Sequence, residues 1–394
     1  MRCILFATML LGYAVGFGAE PPAEPDDMPL IIPDPSAGEW LVDRFAGNST
    51  AGPTFLQGPA REAGGLGRCG ACPLPDGRVL IPFGGGVAEV DTEGTLRLVA
   101  PVNPLNGTTA QVTANVMAYN PKDGCVYLAV GHGLGRLIER NDGPWKVEIA
   151  AGKADHAGFD DGALKDARFT RIDSIVINGR GEIYVLDYNQ RIRRIADGQV
   201  VTLNASVRSA GLVDGPLEKA AFRMIGLGGN LCGGEDDDTL YLSDHWNFVV
   251  RRIDLKNKTV STVAGMPKPK ESQPAKQSAR EKRYNRNSDG PALTWASFNS
   301  GCAYVCWDPV NKALWCGGPD ENRFRWLKDG QILTVIGAKG AEKWPKDALG
   351  VPAESVRLVW NAVAAVDSQG RAYLCASSDP HGLWRAYRKS AQGR

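Results

Sequence analysis

The sequence carries almost no net charge: 45 Lys and Arg stand against 44 Asp and Glu, a formal +1. Without a basic face to neutralise phosphates, a dedicated nucleic-acid binder is excluded. Apolar runs of membrane-spanning length are missing after residue 19, so no membrane insertion of the mature chain is expected. Histidine is scarce, at four residues. GxSxG, HExxH and phosphate-cradling loops are all absent, and no cofactor is expected. Amphipathic helical periodicity is lacking too. What the chain has instead is punctuation, 47 Gly and 25 Pro, which suits many short strands.

Met1 to Ala19 pairs an early Arg2 with an apolar stretch ending in small residues, the form of a signal peptide. Residues 20–37 are Pro-rich and acidic, the composition of an extended tether. A secreted or periplasmic location follows, and a monomer. Sequons occur at Asn48, Asn106, Asn204 and Asn257.

From residue 38 to the C-terminus the chain repeats itself. The clearest copy is 161–203. Asp161-Gly162 reads as a turn, Phe169 as an apolar plug, and 174–177 as an inner strand. Residues 183–186 read as a second strand, 191–195 as an Arg-bearing third, and 199–203 as a fourth. The turn glycines of successive copies are Gly58, Gly107, Gly162, Gly215, Gly290 and Gly350, roughly 50 to 75 residues apart. Plugs follow at Leu66, Phe169, Phe222, Phe298 and Leu358. Fourth strands end in a signature, as in Thr262-Val263-Ala264-Gly265 and Thr334-Val335-Ile336-Gly337. Six copies of four strands predict an all-β, six-bladed β-propeller of antiparallel blades. The last copy lacks a fourth strand and a spare one lies at 39–46, so an N-terminal strand is expected to close the ring, leaving no edge exposed.

Copies three to five resemble NHL repeats, through Asp187, Asn189, Arg191 and Ile192; Asp244, Asn247, Arg251, Arg252 and Ile253; and Asp320, Asn322, Arg323 and Phe324. The resemblance implies a binding platform for a protein, peptide or polysaccharide, with those Asp, Asn and Arg residues structural. More distantly the chain resembles amidating-lyase propellers, whose zinc is held by axial histidines. The corresponding positions here, Asn115, Asp173, Gly226, Cys302 and Ala362, include none. Resemblance to gluconolactonase and regucalcin-like propellers implies an alternative, a lactonase or hydrolase with a calcium-type ion on Asp173 and Asn115, although the early Glu-Gly-Pro motif of that family is missing.

The binding candidates are polar residues near the starts of inner strands: Asn115, Arg171, Asp173, Arg223, Asn299 and Asn361. They fall on the face bearing the turns between second and third strands. A basic insertion, 266–287, has seven Lys and Arg against two Glu and joins the same face, where it would recruit an anionic partner. His132, His245 and His381 occupy second turns in alternate blades. At about 4.8 Å per strand they lie too far out to share one ion and read as surface residues. The acidic tip 235–238 reads as a solvated turn. Eight cysteines follow the leader; 105 pairings are possible and the sequence selects none, so they read as small apolar fillers between blades.

Overall fold

The computed structural model describes residues 31–47, 57–64, 66, 69–105, 110–188, 190–204, 211–224, 230–266, 288–298, 301–318, 323–337, 349–356, 361–376 and 382–389, without the side chains of 114, 115, 361, 362 and 376. The leader, most of the tether and the basic insertion lie outside these residues, as do Asn299, Asp320, Asn322, Leu358 and His381.

Six antiparallel sheets form a ring, a six-bladed β-propeller. The inner strands are Cys72–Pro73, Val112–Tyr119, Ile172–Ile177, Leu231–Gly233, Tyr304–Asp308 and Asn361–Val366, which number blades 1 to 6. Helical structure among the described residues is confined to short 3-10 turns such as Ala37–Glu39, and none is long and apolar enough to cross a membrane. Blade 6 takes its fourth strand from the N-terminus: Trp40–Ala46 pairs with Gly382–Arg388, Trp40 opposite Arg388. The ring therefore closes as its sequence predicts.

The Asp-Gly motif is not the turn it resembles. Gly162–Ala163 is a short fifth strand on the outer edge of blade 3, pairing with Val200 and Gln199. Gly58, Gly215 and Gly290 stand in equivalent edge strands, with φ of 128°, 114° and 118°. Such angles strain any residue with a side chain, hence the recurrent Gly.

Where an Asp precedes the Gly, at Asp161, Asp214 and Asp289, it is an ion-pair partner. In blade 3 the Asp161 carboxylate accepts from Arg193 at 2.7 Å and from the Thr202 backbone N–H at 2.9 Å. Arg193 also reaches Asp187 at 3.2 Å, and its guanidinium lies 5.0 Å from the Phe169 ring centre. Blade 4 repeats this with Arg251, Asp214 at 2.6 Å, Asp244 at 2.8 Å and Phe222 at 5.1 Å. Blade 5 uses Arg325, Asp289 at 3.5 Å and Phe298 at 4.6 Å. All three guanidinium side chains are fully buried. Only Arg251 of the three is among the residues that carry the NHL resemblance; in blades 3 and 5 the arginines at this position are Arg193 and Arg325, each two residues beyond Arg191 and Arg323.

The fourth-strand signature also has a physical basis. Pairing register slips at Phe45, Val99, Ala150, Val263 and Val335, a bulge just before the closing Ala-Gly or its equivalent. The Gly that follows packs under the next blade's plug. A Cβ on Gly152 would meet Phe169 at 2.7 Å, one on Gly265 would meet Phe298 at 2.9 Å, and one on Gly47 would meet Leu66 at 3.2 Å. Blades 1, 3 and 5 thus press a buried side chain onto the preceding blade's glycine.

The opposite face is held by charge. The acidic tip is a clamp between blades: Asp237 accepts the Gly179 N–H at 2.6 Å and Asp238 pairs with Arg180 at 2.7 Å. Burial alone would raise the Glu182 pKa, but hydrogen bonds from Arg194, Asn178, Arg180 and Tyr184 outweigh it and bring it to about 2. Asn204 is buried, its side chain bonded to Ile192 N–H and the Gln190 carbonyl, so in the folded chain it is no glycan acceptor.

Two outcomes are expected. Arg251→Met strands the buried Asp244 carboxylate and should cost about 3–5 kcal/mol, read from the urea midpoint. Glu182, held below its ordinary 4.5, contributes stability that is complete above that value and lost as pH falls towards 2. Glu182→Gln should therefore flatten the acid limb of a thermal-midpoint-against-pH curve.

Candidate ligand-binding face

The carboxylates that hold the buried arginines also shape the face bearing the second-to-third-strand turns. Asp187 accepts the backbone N–H groups of Thr170 and Arg171 at 3.0 and 3.1 Å. Asp244 does the same for Arg223 at 2.8 Å. Burial raises both carboxyl pKa values, against the lowering effect of these bonds and of the arginines. The chain leaving each plug is thereby fixed, and the turn returns a bond to it: Tyr188 N–H to the Arg171 carbonyl at 2.9 Å, Trp246 N–H to the Arg223 carbonyl at 3.0 Å. Arg171 with Tyr188, and Arg223 with Trp246, are the same construction in neighbouring blades.

Of the six candidate residues, Arg171 and Asp173 are brought together. Arg171 donates from Nε at 2.6 Å and from its terminal nitrogen at 3.1 Å, one bond to each Asp173 oxygen. Its guanidinium lies 4.1 Å from the Tyr188 ring centre. Asp173 is the bulged residue between the paired Ile172 and Ser174. Burial raises its pKa, with Arg171 opposing. Arg223 is exposed, in the corresponding position of blade 4. Asn115 lies on the blade 2 inner strand where register shifts between Val112 and Met117, and Asn361 opens the blade 6 inner strand opposite Ala376.

What the sequence reading missed is aromatic. Phe159, Trp246 and Tyr188 are 55%, 45% and 37% exposed. Arg191 lies 4.6 Å from the Phe159 ring centre and donates to its carbonyl at 2.9 Å. Gln190, beside Arg191, accepts the Met224 N–H at 3.2 Å, joining the blade 3 turn to the chain beside Arg223. Phe159, Arg191, Arg223 and Trp246 therefore belong to one sector across blades 3 and 4. A signal was present for two of them: Tyr188 and Trp246 follow within two residues of Asp187 and Asp244, which end second strands.

The axis is different. A cavity of about 380 Å³ is lined by inner strands of all six blades, among them Met117, Ile175, Leu231 and Trp307, with no carboxylate, imidazole or basic side chain in its lining. Its polar members are structural. Asn230, unforeseen from sequence, accepts the Val305 N–H at 2.8 Å while Ser174 accepts the Leu231 N–H at 3.1 Å, tying the inner strands of blades 3, 4 and 5. Among the described residues no group of three or more His, Cys, Asp or Glu is placed to hold a metal ion. A groove of about 680 Å³ at the outer rim of blades 3 and 4 carries charged side chains, among which Arg180 pairs with Asp238 and Arg194 with Glu182.

His132 and His245 are not simple surface groups. His132 Nδ1–H donates to the Thr170 carbonyl at 2.5 Å, bridging blades 2 and 3. His245 is half-buried, edge-on to Trp246 at 5.0 Å and against Gly301. Burial lowers its pKa, partly offset by a bond to the Cys302 backbone.

Two solved structures from Bacteroides thetaiotaomicron VPI-5482 are similar in fold. One, a structural genomics protein of unknown function, is 14% identical with a TM-score of 0.58, covering 88% of this chain and 75% of its own. The other, an auxiliary nutrient binding protein, is 11% identical with a TM-score of 0.57, covering 88% and 76%. No family model and no curated protein matches the chain.

His245 should titrate below its ordinary 6.5 when followed by NMR of the imidazole C–H signals. A depressed histidine favours the folded state above the unfolded pKa and disfavours it as pH falls, so His245→Gln should reduce the loss of stability between pH 7 and 5.

Proposed function

We propose that this chain is an exported NHL-type propeller, its ring spanning residues 38–394, that binds an extended anionic ligand on the blade 3–4 sector of this face. The carrying observation is the pairing of exposed aromatic rings with arginines: Phe159 with Arg191, Tyr188 with Arg171, and Trp246 beside Arg223. Flat rings stack on the C–H faces of sugars and guanidinium groups take carboxylates, so a carboxylated polysaccharide is the ligand class that uses both. The basic insertion, in the connection from blade 4 to blade 5, adds positive charge to the same partner. A fold neighbour described as a nutrient binding protein agrees with this reading, although propellers of this architecture host unrelated functions.

The metal-assisted lactonase reading through Asp173 and Asn115 requires Asp173 to give up its two-point pair with Arg171. It is the weaker reading on that ground.

Carboxylated oligosaccharides titrated by calorimetry should bind with affinity that falls as salt rises. Trp246→Ala and Arg223→Ala should each weaken binding at least about tenfold with unchanged thermal midpoints. Equal binding of neutral oligosaccharides would refute the anionic class. Lactone turnover lost in Asp173→Asn would replace binding with catalysis.

A further inference from the structure

Blades 1 and 6 meet where the two ends of the chain are joined, and that seam holds two cysteines. Cys69 is fully buried and bridges Phe83 of the blade 1 second strand. Cys375 lies on the blade 6 second strand, Ala372–Ala376, opposite Leu383 of the third. Cys375 Sγ accepts the Cys69 backbone N–H at 3.4 Å, and the Cys69 thiol hydrogen-bonds to the Cys375 side chain. Both belong to the apolar cluster that contains Ala46 of the closing strand, Leu66, Tyr373 and Leu383. The pair is separated by 306 residues of sequence, nearly the whole ring. Cys125 and Cys302 have other partners: Cys125 takes an N–H from Arg136 at 3.2 Å, and Cys302 sits 3.6 Å from the Tyr304 carbonyl.

We propose that Cys69 and Cys375 form a disulfide that closes the propeller covalently across the blade 6–blade 1 seam. The oxidant is a small or protein disulfide such as oxidised glutathione. The Cys69 thiolate attacks one of its sulfurs and forms a mixed disulfide, releasing one thiolate. Cys375, deprotonated, then attacks the Cys69 sulfur and releases the second. Two protein thiols become one S–S bond and the oxidant gains two electrons and two protons. Reactivity needs the thiolate. Hydrogen bonding to Cys375 and burial both raise the Cys69 pKa well above the ordinary thiol value, so the bond forms while the seam is open, during folding, and is slow to form in the closed ring. A bond between residues so far apart removes much of the freedom of the unfolded chain, so its effect on stability is large for one cross-link. The inference is independent of the ligand proposal.

The test is to denature and refold the full chain in a mixture of reduced and oxidised glutathione, block thiols under denaturing conditions, and digest without reduction for mass spectrometry. The expected result is a Cys69–Cys375 cross-linked peptide, two fewer blocked thiols than in the reduced protein, and a thermal midpoint several degrees higher than after reduction. Cys69→Ser/Cys375→Ser should match the reduced wild type and respond no further to reductant. Should that variant fail to fold, the wild-type comparison with and without reductant decides alone. Full blocking of both thiols after oxidative refolding, or a cross-link that joins either to a different cysteine, overturns the proposal.

Discussion

A guanidinium buried against an edge-strand carboxylate and an aromatic ring is the constraint on which blades 3 to 5 depend. Arg193, Arg251 and Arg325 sit at equivalent register positions, opposite Thr202, Thr262 and Thr334. In water each charge would be hydrated; inside the blade that hydration is replaced at the terminal nitrogens, while Nε of Arg193 and Arg251 is buried without a hydrogen-bond partner among the described residues. The replacement is shared among the edge-strand Asp, backbone carbonyls and the plug ring, and in blades 3 and 4 also the second-strand Asp. Such an assembly adds little net stability over a well-packed apolar one, but losing one member is costly because the others stay buried. This fixes where the edge strand, the plug and the turn lie relative to the third strand.

The rest of the ring is built differently. Ala88 and Gly135 stand at that position in blades 1 and 2, and Trp384 in blade 6. The seam of blades 5 and 6 is aromatic: Trp40 of the closing strand meets Trp315 and Trp326 edge-on at 5.6 and 5.9 Å. Closing on the N-terminal strand lets this apolar area stand in for a covalent joint, and the thiol pair lies at the neighbouring seam.

The same carboxylates connect architecture to the proposed site. Asp187 and Asp244 face inward to an arginine and outward to the backbone of Arg171 and Arg223, so the face sector inherits the rigidity of the core. Among the described residues the channel lining has no comparable polar set, and its Asn230 and Ser174 are occupied in tying strands together.

Fold class, blade number and the closing strand were legible in the sequence because they are periodic: alternating apolar residues, turn glycines and plugs recur whatever their neighbours. The roles of individual polar residues were not. Asp161 read as a turn residue because local spacing does not reveal that Arg193, 32 residues away, folds back onto it. The acidic tip 235–238 read as solvated because its partners, Gly179 and Arg180, belong to another blade. Arg171 and Asp173 were found as candidates from their place before an inner strand, whereas Tyr188 and Trp246 became visible only once the turns were seen to lie beside them. Periodicity is a property of one chain segment and survives in the sequence; pairing between segments is a property of the ring, and only the tertiary structure decides it.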